Sequence, residues 1–208
     1  ASVPFSYVGD HSGKPMGYSV DLSSKIVERI QQKTGVADLK VKYNLVTSQT
    51  RIPLVQNGTV DLGCGPTTNN LSRQKQVSFA VTTYVSQVRM AVRADSGITS
   101  LKQLQGRNVG AIAGTTAVQI LRKYASDNDL NFKTLMSKDQ FESFLLLESG
   151  RVDAFVLDDN MLAGVIGQSQ NPKGYKIVGE VIGAEPIAIQ FSKNDPQIKK
   201  AVDGAILQ

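Results

Sequence analysis

LVQNGTVDLGCGPTTNN, residues 54–70, carries a helix end, a stop, a strand and then a loop crowded with hydroxyls. Gly58 stands where a helix closes in a left-handed conformation, which glycine adopts without a Cβ penalty. Val60 to Cys64 follow as a short strand. The same order recurs in LLESGRVDAF, residues 146–155: a helix end, a C-terminal glycine at Gly150, and a strand that opens with Val-Asp. A second echo sits beside the first. CGPTTNN (64–70) and AGTTAVQ (113–119) each follow a strand with a glycine and paired threonines. Upstream of the opening stretch, Ser48 is expected to cap a helix that carries Arg51 near its start, where the helix dipole disfavours a cation. An anion held between Arg51 and the Thr67/Thr68 loop removes that conflict.

The rest of the chain alternates in the same way. Residues 19–34 place Leu22, Ile26, Val27 and Ile30 on one face at helical spacing, with Gly35 as the stop. LKVKYNLV, residues 39–46, alternates as a strand. Further on come a short helix ending at Gly106, a buried strand from Asn108 to Ala113, and a tight Gly-Thr-Thr loop. A helix over 116–126, a strand over 131–135 and a helix over 138–149 follow; Ser137 and Gln140 have the spacing of a capping box. The strand VDAFVL then leads to a helix from Asn160 that Asp159 is expected to cap. Strands alternating with helices predict parallel α/β layers, and the two echoes predict two similar lobes. Their strand-end loops are expected to open toward one cleft, as ligands of open α/β sheets bind beyond the carboxyl ends of the strands.

Composition narrows the function. The 208 residues are 41% hydrophobic and carry 23 Lys+Arg against 18 Asp+Glu, a formal charge of +5. The basic residues are scattered, without the clustered footprint of a nucleic-acid binder. No apolar run approaches the roughly 20 residues of a membrane span. Cys64 is the single cysteine and His11 the single histidine, the latter in a polar loop. An intrachain disulfide is excluded, no cysteine-based metal site is expected, and no cofactor is called for.

The remaining chemistry describes an α-amino acid. Arg51 offers a planar fork for a carboxylate, and Thr68 offers a hydroxyl and an N–H. Thr115 and Thr116 lie where a loop enters a helix and free N–H groups favour an anion. Asp158 ends a strand at the same expected edge and suits an ammonium. Ser48 and Gln140 each have a capping explanation of their own.

SVPFSY, GYSVDLSSKIVERI, TSQTRIPLVQNGTVDLGCGPTTNN, RQKQVSFA, AGTT, LESGRVDAFVLDD and LAG together resemble the periplasmic glutamate/aspartate-binding proteins of bacterial ABC importers. The resemblance implies a two-lobed α/β fold of the type II periplasmic-binding class, each lobe a mostly parallel sheet flanked by helices. It implies a first lobe over 1–85 and 186–208, a second over 88–181, and crossing hinge segments near 84–88 and 181–187. By the same resemblance Arg51 and Thr68 hold the α-carboxylate, Asp158 the ammonium, and Ser48 the side-chain carboxylate, with Thr115 or Thr116 adding a contact. Pro66 replaces the subfamily's usual serine and keeps only its carbonyl as an acceptor for the ammonium. Gln140 replaces a histidine that helps to bind the distal carboxylate. The family's distal-carboxylate arginine falls on a strand before residue 1, and further helices of the first lobe follow residue 208. The implied function is a periplasmic, monomeric, non-enzymatic binder of L-glutamate or L-aspartate that serves a membrane permease, its export signal lying outside this sequence. The rival functions are the ligand-sensing domain of a receptor, a binder of another polar amino acid such as glutamine, and a same-fold dehydratase. The last needs an acid or base at the reacting carbon, and only Asp158 is at hand.

Overall fold

A computed structural model describes residues 1–9 and 11–208. The chain forms two compact units: Ser2–Val85 with Pro186–Gln208, and Ser86–Glu185, to which Ala1 is added.

The first unit holds β1 (Tyr7–Val8), β2 (Pro15–Met16), α1 (Tyr18–Thr34), α2 (Arg51–Gln56), β3 (Leu62–Gly63), α3 (Leu71–Gln74) and β4 (Ser78–Phe79). After the chain returns it adds β10 (Gln190–Phe191) and α7 (Pro196–Ile206). β1 pairs antiparallel with β2, and β10 lies between β3 and β4, antiparallel to both. The sheet is therefore not mostly parallel. β3 and β4 run in the same direction, as strand–helix–strand order requires, but the strand between them arrives from the returning segment and runs against both. Successive residues of the sheet point to opposite faces. Ile189 and Phe191 join Ile26, Ala80 and Val202 in one core with Leu22 and Ile30 of α1 packed on it, while Ala188 joins Ile52, Val55, Val77 and Phe79 in the other.

Residues 39–46 form no strand. Val41, Tyr43 and Leu45 are exposed, Leu45 at 84%. Alternation makes a strand only where a neighbouring edge accepts its N–H and C=O groups, and no sheet among the described residues includes this segment.

The second unit holds β6 (Asn108–Ile112), α4 (Thr116–Asp127), β7 (Lys133–Ser137), α5 (Gln140–Glu148), β8 (Ala154–Asp158) and α6 (Asp159–Gly167). Two longer strands, β5 (Tyr84–Arg93) and β9 (Tyr175–Ile187), contain the residues at which the chain passes from one unit to the other. The sheet order is β7-β6-β8-β5-β9; β6 is parallel to β7 and to β8, and β5 is antiparallel to β8. All five residues of β8 are buried, the continuous run expected of a strand covered on both faces.

The first sequence echo is an echo in backbone structure. Gly58 and Gly150 have φ of 80° and 76°. Gly58 N–H donates to Val55 O at 3.2 Å and Gly150 N–H to Leu147 O at 3.2 Å. Val60 N–H then reaches Leu54 O at 3.0 Å, and Val152 N–H reaches Leu146 O at 3.1 Å. One device, a left-handed glycine followed by Val-Asp, delivers β3 in the first unit and β8 in the second.

Three caps lie elsewhere than the sequence spacing places them. Ser48 is not an N-cap: α2 starts after Thr50, whose hydroxyl accepts from Thr47 N–H at 2.9 Å while Thr47 Oγ1 accepts from Thr50 N–H at 3.2 Å. This reciprocal turn moves the helix start two residues along. Ser137 and Gln140 form no capping box. Asp139 is the N-cap of α5 and accepts from Glu142 N–H at 2.9 Å, and Glu142 accepts from Lys138 N–H at 2.8 Å. Asp158, not Asp159, holds the N-cap position of α6, though its side chain makes no capping bond; Asp159 is the first helical residue.

Candidate functional site

In the first unit, residues 64–70 link β3 to α3. Cys64 starts the loop, its thiol pushed up to about 12 by burial against a smaller opposing effect of the Ser23 side chain, which disfavours the thiolate form. Arg51 leaves the first turn of α2 and donates from Nη1 to Pro66 O at 3.0 Å. The Pro66 carbonyl, left by the resemblance as an acceptor for an ammonium, thus spends one lone pair on a guanidinium. Thr67 turns inward: it is 1% exposed, and Gln190 Nε2 approaches its hydroxyl at 3.4 Å. Gly63 makes room for that glutamine, since a Cβ there would lie 2.4 Å from Gln190 Cγ. Thr68 bridges to Ile187, and Asn69 N–H donates to Pro186 O at 2.8 Å, so the returning segment braces the loop.

A second guanidinium, unnoticed in the sequence, meets the same loop. Arg73 lies in α3, is 8% exposed, and donates from Nη1 to Thr68 O at 3.0 Å. Asn70 caps its helix by accepting from Arg73 N–H at 2.9 Å. One local signal was available, Asn70 as a helix-capping residue three positions before Arg73. Ser48 lies half-buried in the turn before α2, three residues before Arg51.

In the second unit, the loop after β6 carries Thr115 and Thr116. Thr115 is the N-cap of α4 without a side-chain cap; its hydroxyl donates back to Ile112 O at 2.7 Å. The Thr116 hydroxyl donates to the Glu185 carboxylate. Glu185 is 3% exposed and comes from the end of β9. An anion does sit at the start of α4, and it belongs to the protein. Asp158, 6% exposed, accepts from Ser86 Oγ at 2.6 Å across the antiparallel pair of β8 and β5. Gln140 is fully buried and donates from Nε2 to Met161 O at 2.6 Å, tying the start of α5 to α6.

The nine residues singled out from sequence therefore fall into two groups. Ser48, Arg51, Pro66, Thr67 and Thr68 share the first unit, and Thr115, Thr116, Gln140 and Asp158 share the second. Arg73, Ser86, Glu185 and Gln190 are additions made by structure. No group of three or more His, Cys, Asp or Glu able to hold a metal occurs among the described residues, and no helix among them is long and apolar enough to cross a membrane.

Comparison with known proteins agrees with this architecture. The L-glutamate/L-aspartate-binding protein of Pseudomonas aeruginosa is 45% identical over 206 residues, 99% of this chain and 68% of its own length. The glutamate/aspartate import solute-binding protein of Escherichia coli K12 is 41% identical over 208 residues, 100% of this chain and 68% of its own. A solved ancestral arginine-binding protein with glutamine bound superimposes with a TM-score of 0.87 at 29% identity, over 99% of this chain and 86% of that one. The fold is that of the type II periplasmic binding proteins. The family pattern for bacterial extracellular solute-binding proteins, family 3, matches residues 1–208 without a break, and the chain belongs to that family.

Proposed function

We propose that this chain is the substrate-binding component of an ABC importer, which takes up free L-glutamate or L-aspartate in the periplasm and presents it, as a monomer, to a membrane permease. The observation that carries the reading is the pair of arginines anchored on two carbonyls of one loop, two residues apart, Arg51 on Pro66 and Arg73 on Thr68. Two preoriented guanidinium forks suit a ligand with two carboxylates. The names of the relatives above support the same choice.

The division of labour follows from how each arginine is held. Arg73 is the more buried, and its anchor is the carbonyl of Thr68, whose hydroxyl and N–H are the other candidate donors. Thr68 with Arg73 suits the α-carboxylate, the group every amino acid shares. Arg51 stands one turn after Ser48 on the same segment, so the two side chains suit one group, the side-chain carboxylate. Asp158 takes the ammonium. Gln140 and Thr67 serve as internal braces. Residues 84–88 and 181–187 act as hinges. No catalytic step is assigned.

Calorimetric titration with the twenty amino acids tests this. L-glutamate and L-aspartate are expected to bind, and a ligand at about 100 times its dissociation constant adds roughly 2.7 kcal/mol to stability, visible as a raised melting temperature. Binding of a neutral or basic amino acid with no response to either dicarboxylate would overturn the assignment.

A further inference from the structure

Gln190 is a polar side chain in an apolar sheet. It is 0% exposed, and its chain neighbours Ile189 and Phe191 lie in one core of the first unit while Phe79, opposite it on β4, lies in the other. Residues opposite one another across an antiparallel pair share a face, so Gln190 points to the side of the sheet that packs on α2. On β3 its opposite number is Gly63, over which the glutamine lies. Gly63 is not among the glycines with positive φ, so the room it leaves for Gln190, and not a backbone turn, is what calls for a glycine there. The amide makes one contact, Nε2 to the Thr67 hydroxyl, and the enclosed Oε1 accepts no hydrogen bond among the described residues. An apolar side chain of the same length would avoid the cost of that buried oxygen. Sheet stability therefore does not explain the glutamine; its contact with the loop does. The Thr67 backbone is bound on both sides, its N–H donating to Gly65 O at 2.8 Å and its carbonyl accepting from Ala188 N–H at 3.1 Å, and Gln190 adds a tie to the side chain. Thr67 in turn stands between the two carbonyls, of Pro66 and Thr68, that accept from Arg51 and Arg73.

We propose that Gln190 is a positioning residue: through the Thr67 hydroxyl it fixes the loop whose flanking carbonyls, Pro66 and Thr68, orient the two arginines for the ligand carboxylates. The inference rests on the amino-acid-binding function proposed above. It gives the buried polar pair a role in recognition that is separate from folding.

The test sets calorimetric affinities for L-glutamate and for glutarate, the same dicarboxylate without the amine, beside the melting temperature of the unliganded protein. The double variant Thr67→Val with Gln190→Met removes both polar groups at similar volume. It should melt no lower than the wild type, since replacing both partners of a buried hydrogen bond by apolar groups of the same shape is nearly neutral or stabilising. It is nonetheless expected to weaken both ligands about fivefold or more, the scale of one neutral hydrogen bond. Thr67→Ser keeps the hydroxyl and should bind within about twofold of the wild type. A double variant that also binds both ligands within about twofold of the wild type would overturn the proposal and leave the pair as packing. If the double variant does not fold, Gln190→Met alone decides by the same fivefold criterion. A wild type that does not bind L-glutamate removes the proposed function and this inference with it, whereas variants that match a wild type that does bind it remove this inference alone.

Discussion

The loops at 64–70 and 113–119 look alike in sequence, a glycine and two threonines after a strand, and sit beside side chains of opposite charge. Around the first, Arg51 and Arg73 donate to backbone carbonyls of the loop itself. Beside the second, the Thr116 hydroxyl donates to Glu185. In both loops one threonine is turned to internal bonding, Thr67 toward Gln190 and Thr115 toward Ile112 O. Its neighbour, Thr68 or Thr116, is the one that meets a charged side chain. The hydroxyl loop is thus a neutral platform. What it reads is set by residues brought from elsewhere in the chain, 15 positions away for Arg51 and 69 for Glu185. The helices sharpen the contrast: α2 carries a cation as its first residue, a local conflict that an anionic ligand relieves, whereas the first residue of α4 already donates to Glu185.

The largest effect that can break this contrast is expected at Arg73. Arg73→Ala should weaken glutamate, aspartate and glutamine alike by about 2–5 kcal/mol, the cost of truncating a buried, hydrogen-bonded charge, measured by calorimetry. Retained affinity for all three would leave the loop without its α-carboxylate group. Asp158→Asn comes next. Amino acids should lose roughly 1.5–3 kcal/mol while glutarate is nearly unaffected, and matched losses for both would remove Asp158 from the ammonium role.

Gln140→Ala probes stability more than recognition. It removes the side-chain donor that the Met161 carbonyl has in addition to its helix partner, so thermal unfolding should show a loss of about 0.5–1.5 kcal/mol with the order of ligand preference unchanged. A changed preference would return Gln140 to the ligand. The smallest effect is expected for Tyr124, whose hydroxyl on α4 donates to Glu180 of β9. That bond raises the Tyr124 pKa to about 12 and lowers that of Glu180. The raised tyrosine gives stability that is complete below its ordinary value near 10 and is lost as pH rises toward 12; the lowered glutamate gives stability present above its ordinary 4.5 and lost on acidification. The stability difference between wild type and Tyr124→Phe should therefore be greatest at neutral pH and shrink at both ends, with no change in the ratio of glutamate to glutarate binding. A flat difference would mean the pair contributes nothing.

Local signals carried much of the fold. The helical face of Leu22, Ile26 and Ile30, with Gly35 behind it, gives α1, and the two glycine stops give β3 and β8 in register with their sequence echo. Patterns that need a distant partner did not translate. Residues 39–46 alternate without an edge to pair with, and the antiparallel run of β10 between β3 and β4 depends on the path of the returning chain. Caps failed by one or two residues where several candidates crowd together, as at Thr47, Ser48 and Thr50 or at Ser137 and Asp139. At the candidate site the residues with a local anomaly, such as Arg51, were visible. Arg73 was not, since its one-turn helix is too short to announce itself by periodicity. Glu185 and Gln190 reach Thr116 and Thr67 from more than sixty positions away, and no spacing rule reaches that far.

The central claim, that the two arginines of one loop divide the two carboxylates of the ligand, is tested most directly by the calorimetric affinities of Arg51→Ala for L-glutamate and L-glutamine. The two ligands share their α-carboxylate and differ in the charge at the end of the side chain. If Arg51 serves the side-chain carboxylate, glutamate should lose at least about tenfold more affinity than glutamine, the scale of one charge-assisted hydrogen bond. Equal losses for the two would contradict the account and give the α-carboxylate to Arg51.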